Sequence, residues 1–157
     1  MMRKGFVVIA VAGLVLAGCS DQLTSAVVSG DVDAVQTLLD DGAHPDAFIS
    51  FRHPKFAGGN KVRRRLLVAA AVHGHTDVAE LLIGSGATLS HPHNEFAICP
   101  AAALGHVDMV ILLIQVGVPP NPRRKCGERG DKTPLQIAEA RGHFDITRVL
   151  RDAGARH

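Results

Sequence analysis

The residues best suited to chemistry in this sequence are its histidines and cysteines. The chain has nine histidines and three cysteines. Only His91, His93 and Cys99 lie close enough in sequence to suggest a metal-binding set, and Pro92 breaks the spacing that a helical site would use. A structural zinc site needs about four ligands, usually including paired cysteines. We therefore expect no bound metal and no other cofactor.

No set of residues has the spacing of a known catalytic site. The chain contains no Gly-x-Ser-x-Gly turn, no phosphate-binding loop and no His-Glu-x-x-His pair. Aspartates recur at regular intervals, and their regularity is better explained by helix starts than by acid–base chemistry. We therefore expect a protein that is not an enzyme and that has no small-molecule substrate.

The first 18 residues resemble the signal peptide of bacterial lipoproteins. Arg3 and Lys4 form a positive n-region, an apolar stretch over residues 6–16 follows, and small residues lead to Cys19. The apolar run is shorter than the roughly 17–25 residues that a membrane-spanning helix needs. The resemblance implies that residues 1–18 are cleaved and that acyl chains on Cys19 anchor the chain to a membrane.

The residue after Cys19 predicts which membrane holds the chain. In lipoproteins of two-membrane envelopes, aspartate at this position usually retains the protein in the inner membrane. Here the position is Ser20. We therefore expect a lipid-anchored protein of the bacterial cell envelope, held in the outer membrane and facing the periplasm.

Charged residues are arranged in blocks. The whole chain has 17 Lys and Arg and 15 Asp and Glu. Without the two bases of the predicted signal peptide, residues 19–157 hold 15 of each sign. Residues 19–50 contain six acids and no base, whereas residues 51–76 contain six bases and no acid. Such segregation favours interaction surfaces over an evenly solvated exterior.

The chain contains four copies of one unit marked by two glycines twelve residues apart. In every copy an alanine lies four residues before the first glycine, an aspartate three residues after it and a leucine eight residues after it. Glycine ends a helix in the left-handed conformation, and aspartate suits the positive end of the next helix. Each unit is therefore predicted to be two short antiparallel helices that must stack on a neighbour. The glycine pairs are Gly30 and Gly42, Gly74 and Gly86, Gly105 and Gly117, and Gly142 and Gly154.

This pattern resembles the ankyrin-repeat family. Residues 70–87 read AAVHGHTDVAELLIGSGA, and residues 133–136 read TPLQ, close to the opening of the family's repeat. The resemblance implies an all-α solenoid with short β-turn fingers, occupying residues 19–157, with repeats at about 21–46, 64–90, 96–121 and 132–155. It also implies that His75, His106 and His143 form hydrogen bonds between loops.

The spacing between units shows where extra residues are inserted. The first glycines are 44, 31 and 37 residues apart, against a family period of about 33. The additions fall in the segments Ala47–Arg65 and Pro119–Lys132, which we call the first finger and the third finger. The turn signal Gly58-Gly59-Asn60 predicts a projecting hairpin in the first finger.

The first finger combines basic residues with three phenylalanines, and the basic third finger is expected to lie beside it. Such a combination is typical of interface hot spots. The alternative is a mobile loop whose charges only keep it soluble. Nucleic acid is a common partner of arginine and phenylalanine together, but the export signal argues against it. The residues predicted to contact a protein partner are Phe48, Phe51, Arg52, Lys55, Phe56, Lys61, Arg63, Arg64, Arg123, Arg124 and Lys125.

Two cysteines are left after the predicted lipidation site. In an oxidising periplasm, Cys99 and Cys126 are candidates for a disulfide. The alternative is a buried Cys99 and an exposed, reactive Cys126.

The function we expect is a membrane-anchored periplasmic module that binds a protein, as an inhibitor or immunity protein or as a scaffold. The alternative is a structural envelope protein whose basic fingers bind an anionic polymer or lipid. Steep weakening by salt would be typical of that second class.

Overall fold

The computed structural model describes residues 19–90, 92–127 and 130–156, and it is mainly helical. One β-hairpin, joined by a 3-10 turn at Ala57–Gly59, interrupts the helices. In chain order the elements are α1 (Cys19–Ser29), α2 (Val32–Asp40), β1 (Phe48–Phe51), β2 (Val62–Arg65), α3 (Leu66–His73), α4 (Thr76–Gly84), α5 (Pro92–Glu95), α6 (Ile98–Leu104), α7 (Val107–Gln115), α8 (Pro134–Ala140) and α9 (Phe144–Asp152).

The helices stack as four pairs. The pairs are α1 with α2, α3 with α4, α6 with α7, and α8 with α9. The first helices of successive pairs contact one another, and so do the second helices. The predicted solenoid of four helix pairs is therefore confirmed. The one-turn helix α5, which directly precedes the third pair, was not predicted.

The repeated glycine and the repeated histidine form a single structural device. Gly30 has a φ of 78°, and a Cβ atom there would lie 2.6 Å from Nδ1 of His75 in the next unit. The ring of His75 occupies the space that a side chain at position 30 would fill. It is held there because its Nε2 bonds the carbonyl oxygen of Val28 at 2.9 Å. Glycine is thus required both by the left-handed backbone and by the neighbouring ring.

The same contact recurs along the solenoid. Nε2 of His106 lies 3.2 Å from the carbonyl oxygen of Val72, and Nε2 of His143 lies 3.3 Å from that of Ala103. The predicted bonds of these histidines between units are therefore present, but each acceptor lies in the last turn of a first helix and not in a loop. These three histidines join adjacent units and are not free to act as metal ligands through Nε2.

The apolar core runs continuously through the stack. Every residue from Leu66 to Val72 of α3 is buried, because this helix lies between α1 and α6. A helix that is apolar on all sides belongs in such an interior position. In the fourth pair, α9 buries Ile146 and Leu150 and exposes its charged residues together with Phe144.

Two predictions fall on parts of the chain that the structure does not describe. The signal peptide, residues 1–18, lies outside the described residues, as do His91 and the Cys19 side chain. Lipidation of Cys19 therefore stays a prediction. Within the described segments, none of the helices is long and apolar enough to cross a bilayer. Those segments also contain no cluster of three or more His, Cys, Asp or Glu able to hold a metal ion.

Candidate interaction surface

The first finger folds as the predicted hairpin. β1 and β2 are antiparallel, and Phe48 pairs with Arg65 and Ile49 with Arg64. Residues directly opposite each other share a side of the ribbon. Ile49 and Arg64 therefore lie on the side that packs on the helices, whereas Phe48 lies on the outer side, where the guanidinium carbons of Arg63 and Arg65 are each 4.9 Å from its ring centroid.

The structure corrects the interpretation of Phe51. Its side chain is only 4% exposed, and its ring centroid lies 5.1 Å from that of His73 and 6.4 Å from that of Phe56. Phe51 anchors the finger to α3 and is not available as a surface contact. Phe56 is half-buried, and Phe48, at 38% exposed, is the most accessible of the three phenylalanines.

Asp46, at the base of the first finger, joins it to the segment before the third pair. Its carboxylate accepts hydrogen bonds from Asn94 Nδ2 at 2.7 Å and from the Thr88 backbone N–H at 3.1 Å, and it lies 3.4 Å from Arg65 Nη1. Burial raises the pKa of Asp46, but hydrogen bonds from Thr88 and Asn94 outweigh it, so the pKa lies below its ordinary value.

The third finger is held by one covalent bond and one buried carboxylate. Cys126 and Cys99, at the start of α6, form a disulfide with 5.4 Å between their Cα atoms. Both cysteines are buried, so the alternative of an exposed, reactive Cys126 is wrong. Glu95 of α5 is 3% exposed; its carboxylate accepts the Arg123 backbone N–H at 3.2 Å and lies 3.6 Å from Arg123 Nε.

Most of the predicted finger cations have no acidic partner. Arg123 pairs with Glu95, and Arg65 pairs with Asp46. Seven others have no carboxylate within 4.0 Å among the described residues, and all of these except the half-buried Arg64 are exposed. They are Arg52, Lys55, Lys61, Arg63, Arg64, Arg124 and Lys125. The structure thus leaves a set of uncompensated positive charges on these fingers.

Sequence reasoning missed the residues that connect the fingers. Asp46 and Asn94 are 48 residues apart, and α5, which presents Glu95 to the third finger, is only four residues long. It also missed a cavity of about 380 Å³ beside the C-terminal end, where Lys125 and Arg156 lie on the lining. The block of bases in the sequence was the only signal, and it does not show which side chains meet.

Comparison with known proteins places this architecture in a family. Residues 64–157 match the family described as Ankyrin repeats (3 copies). Human cyclin-dependent kinase 4 inhibitor B is 32% identical over 150 residues, which cover 90% of this chain and 94% of that protein. The mouse protein of the same name is 31% identical over 147 residues (88% of this chain, 97% of that protein), and human cyclin-dependent kinase inhibitor 2A is 30% identical over 150 residues (90% and 83%).

The stacked helix pairs and fingers show that the chain is a repeat protein, and the family match identifies the type of repeat. The chain belongs to the ankyrin-repeat family. The family and its inhibitor relatives support a protein-binding role, and they support the expectation that the chain is not an enzyme. Because one scaffold serves many partners, the partner must be inferred from the surface.

Proposed function

We propose that this chain is a lipid-anchored ankyrin-repeat protein of the bacterial cell envelope that binds a protein partner. The anchor is lipid on Cys19, and Ser20 favours the outer membrane, facing the periplasm. The partner contacts the concave face that ankyrin repeats present, together with the first and third fingers. The chain inhibits that partner, as an immunity protein inhibits a toxin.

The observation that carries this proposal is the group of finger cations without carboxylate partners. Residues 19–157 hold equal numbers of acids and bases, yet seven of the eight finger cations predicted to contact the partner have no carboxylate within 4.0 Å among the described residues. Unpaired surface charge steers an oppositely charged partner and sets its orientation. The partner is therefore expected to present an acidic surface. An inhibitory role is supported by the names of the relatives, which are inhibitors of cyclin-dependent kinases.

The proposal is tested by capturing the partner with the full-length chain, tagged at its C-terminus and purified from membranes in detergent. Periplasmic extract is passed over the immobilised chain, and bound proteins are identified by mass spectrometry. The finger variant Arg63→Glu with Lys125→Glu changes one exposed cation in each finger. The control, Arg141→Glu with Arg148→Glu, makes the same change at two exposed arginines of the fourth pair.

We expect the wild type and the control to capture the same protein and the finger variant to lose it. Equal capture by all three chains would show that the fingers do not bind the partner. Inhibition is then measured on the captured protein, and a partner whose activity or toxicity is unaffected by the chain would make the role that of a scaffold.

The same unpaired cations also favour the second candidate, a structural protein that binds an anionic envelope polymer or lipid. Binding to vesicles that contain phosphatidylglycerol, measured at rising salt, distinguishes the two. Exposed charge pairs are screened beyond roughly 8 Å at physiological ionic strength. A purely electrostatic attachment to polymer or lipid should therefore disappear with salt and occur without any captured protein.

A further inference from the structure

Arg64 occupies an unusual position for a cation. Strand pairing places it opposite Ile49, on the side of the hairpin that packs on the helices. The residue is half-buried, its Nε is buried without a hydrogen-bond partner, and one terminal nitrogen donates to its neighbour's carbonyl oxygen, that of Arg63, at 2.9 Å. Burying an unpaired charge is unfavourable, so a buried donor without a partner needs an explanation.

Arg124 lies on the third finger and packs on an aromatic ring. Its guanidinium carbon lies 4.9 Å from the ring centroid of Phe96, which is itself buried. The guanidinium carbon of Arg64 lies 6.0 Å from the centroid of Phe56. An aromatic ring thus lies against each of these arginines and restricts its orientation, while the N–H groups at the edge of the guanidinium plane can still donate hydrogen bonds.

The two fingers are brought together by α5. This short helix contacts β2, which carries Arg64, and its Glu95 holds Arg123, the residue before Arg124. Phe96, on which Arg124 lies, directly follows α5, so both arginines lie beside this helix. Burial and then the positive charge of Arg124 lower the pKa of Arg64. Among the described residues no carboxylate lies within 4.0 Å of either.

We propose that Arg64 and Arg124 together bind one carboxylate of an acidic segment of the protein partner, with one guanidinium on each side. This inference rests on the proposed function and names the chemistry of its central contact. A carboxylate is planar, carries about four acceptor sites and matches the donor fork of arginine. Its negative charge between the fingers offsets the repulsion between the two cations and provides an acceptor for the terminal N–H groups of Arg64, which unlike Nε are not buried without a partner.

A polypeptide carboxylate is favoured over a lipid phosphate by the surroundings of the pair. The neighbouring side chains include the rings of Phe56 and Phe96, and Phe48 lies partly exposed on the other side of the hairpin. Aromatic groups beside buried charged contacts are typical of protein interfaces. A membrane surface would need only the exposed cations and not the half-buried one.

The test follows the arginine side chains directly. The full-length chain, labelled with ¹⁵N in detergent micelles, is titrated with acetylated pentaglutamate, and pentaglutamine serves as the uncharged reference. The Nε–H resonances of Arg64 and Arg124 are assigned from their disappearance in Arg64→Gln and Arg124→Gln. We expect pentaglutamate to shift both resonances and pentaglutamine to shift neither.

The variants separate one shared site from diffuse attraction. Arg64→Gln and Arg124→Gln should each weaken pentaglutamate binding by at least about tenfold, because a hydrogen bond to a charged group is lost. The double variant should be little weaker than either single variant, since both arginines bind one group. The controls Arg141→Gln and Arg148→Gln remove exposed cations of the fourth pair, outside the fingers, and should cost about twofold or less. Equal weakening by all four changes would overturn the proposal.

Two further arms keep the conclusion unambiguous. Arg64→Lys keeps the positive charge without the fork and should restore only part of the affinity; it replaces Arg64→Gln if that variant does not fold. Inorganic phosphate and phosphatidylglycerol vesicles are titrated in parallel, and shifts with these but not with pentaglutamate would reject a carboxylate ligand. If Arg64→Gln captures the partner at wild-type yield while Arg63→Glu with Lys125→Glu does not, the shared carboxylate site is wrong and the proposed function stands.

Discussion

The first and third fingers are both rich in basic residues, but they are attached to the solenoid by different means. The first finger has 19 residues and forms its own hairpin, with Ile49 and Phe51 buried against the helices. The third has 14 residues, and its described part forms only an isolated bridge between Cys126 and Lys132. Its described attachments are the disulfide to α6, the contact with Glu95, and the hydrogen bonds of Asn121 with Gly154 and Arg156.

This difference shows how insertion length limits the choice of anchor. A two-stranded ribbon is marginal alone and becomes stable when an apolar side packs on something else. The first insertion is long enough to supply that side, whereas the described residues of the third finger are paired only through one bridge. In the third finger Pro122 is buried, and a covalent link supplies the constraint that strand pairing supplies in the first. The comparison predicts that each finger fails under a different perturbation.

The largest effect is expected from Phe51→Ala. Removing this buried ring leaves a cavity between the hairpin and α3, and such changes cost about 3–5 kcal/mol of unfolding free energy. Urea unfolding followed by circular dichroism measures the loss. The matched control is Phe48→Ala in the same strand, whose ring is partly exposed and should cost much less. Equal losses for the two variants would show that Phe51 is not the anchor of the first finger.

A smaller effect is expected when the disulfide is removed. Cys99 and Cys126 are 27 residues apart, and closing a loop of that size stabilises a fold by about 3 kcal/mol. The variant Cys99→Ala with Cys126→Ala keeps the buried positions apolar. Hydrogen exchange should become faster at the Cys126 and Lys132 positions, whose backbone groups bond each other, and should stay unchanged in β1 and β2. Faster exchange in both fingers alike would contradict separate anchors.

The helix pairs could be predicted from sequence because their signals are local. The glycines with φ near 78° end the first helices, and Asp77 and Asp108 lie in the first turns of α4 and α7. The turn Gly58-Gly59-Asn60 likewise predicted the hairpin, because turn chemistry depends on neighbouring residues. Local preferences and the apolar stripe agree throughout these segments, which is the condition under which sequence reasoning succeeds.

The candidate site could be predicted only in composition. Apolar residues stand at positions 48, 49 and 51, so alternation does not show which side of the strand is buried, and Phe51 was assigned to the surface. Arg64 turns inward only because the register pairs it with Ile49. The Asp46–Asn94 hydrogen bond depends on how successive units stack. None of these features is local, so no short motif could reveal them.

The smallest predicted effect is a dependence of stability on pH that the first finger shows and the third does not. His53 and His73, whose ring centroids are 5.1 Å apart, belong to the packing of the first finger. Burial lowers the pKa of each below its ordinary 6.5. Positive charge on His73, His106 and Lys55 lowers the pKa of His53 further, and positive charge on His75 and His106 lowers that of His73. At His73 a hydrogen bond to the Ala69 carbonyl oxygen partly offsets the shift.

The sign of the effect follows from proton binding. Between the lowered pKa and 6.5 the unfolded chain binds more protons than the folded one, so stability falls as pH drops through 6.5 and levels off below the folded-state pKa. Asp46, whose pKa is also lowered, keeps its full contribution until pH falls below about 3.8. Urea unfolding at about pH 7.5 and about pH 5.5 therefore isolates the histidines.

The expected result at the acid pH is a lower unfolding midpoint and lower protection from hydrogen exchange in β1 and β2, with rates corrected for the intrinsic pH dependence of exchange. Protection in the third finger should stay unchanged. The variant His53→Asn with His73→Asn should lose most of the pH dependence between those two values. An undiminished dependence in that variant would assign the titration to other groups. Matching acid sensitivity in the third finger would remove the distinction between an anchor made by packing and one made by a covalent bond, because the disulfide does not titrate.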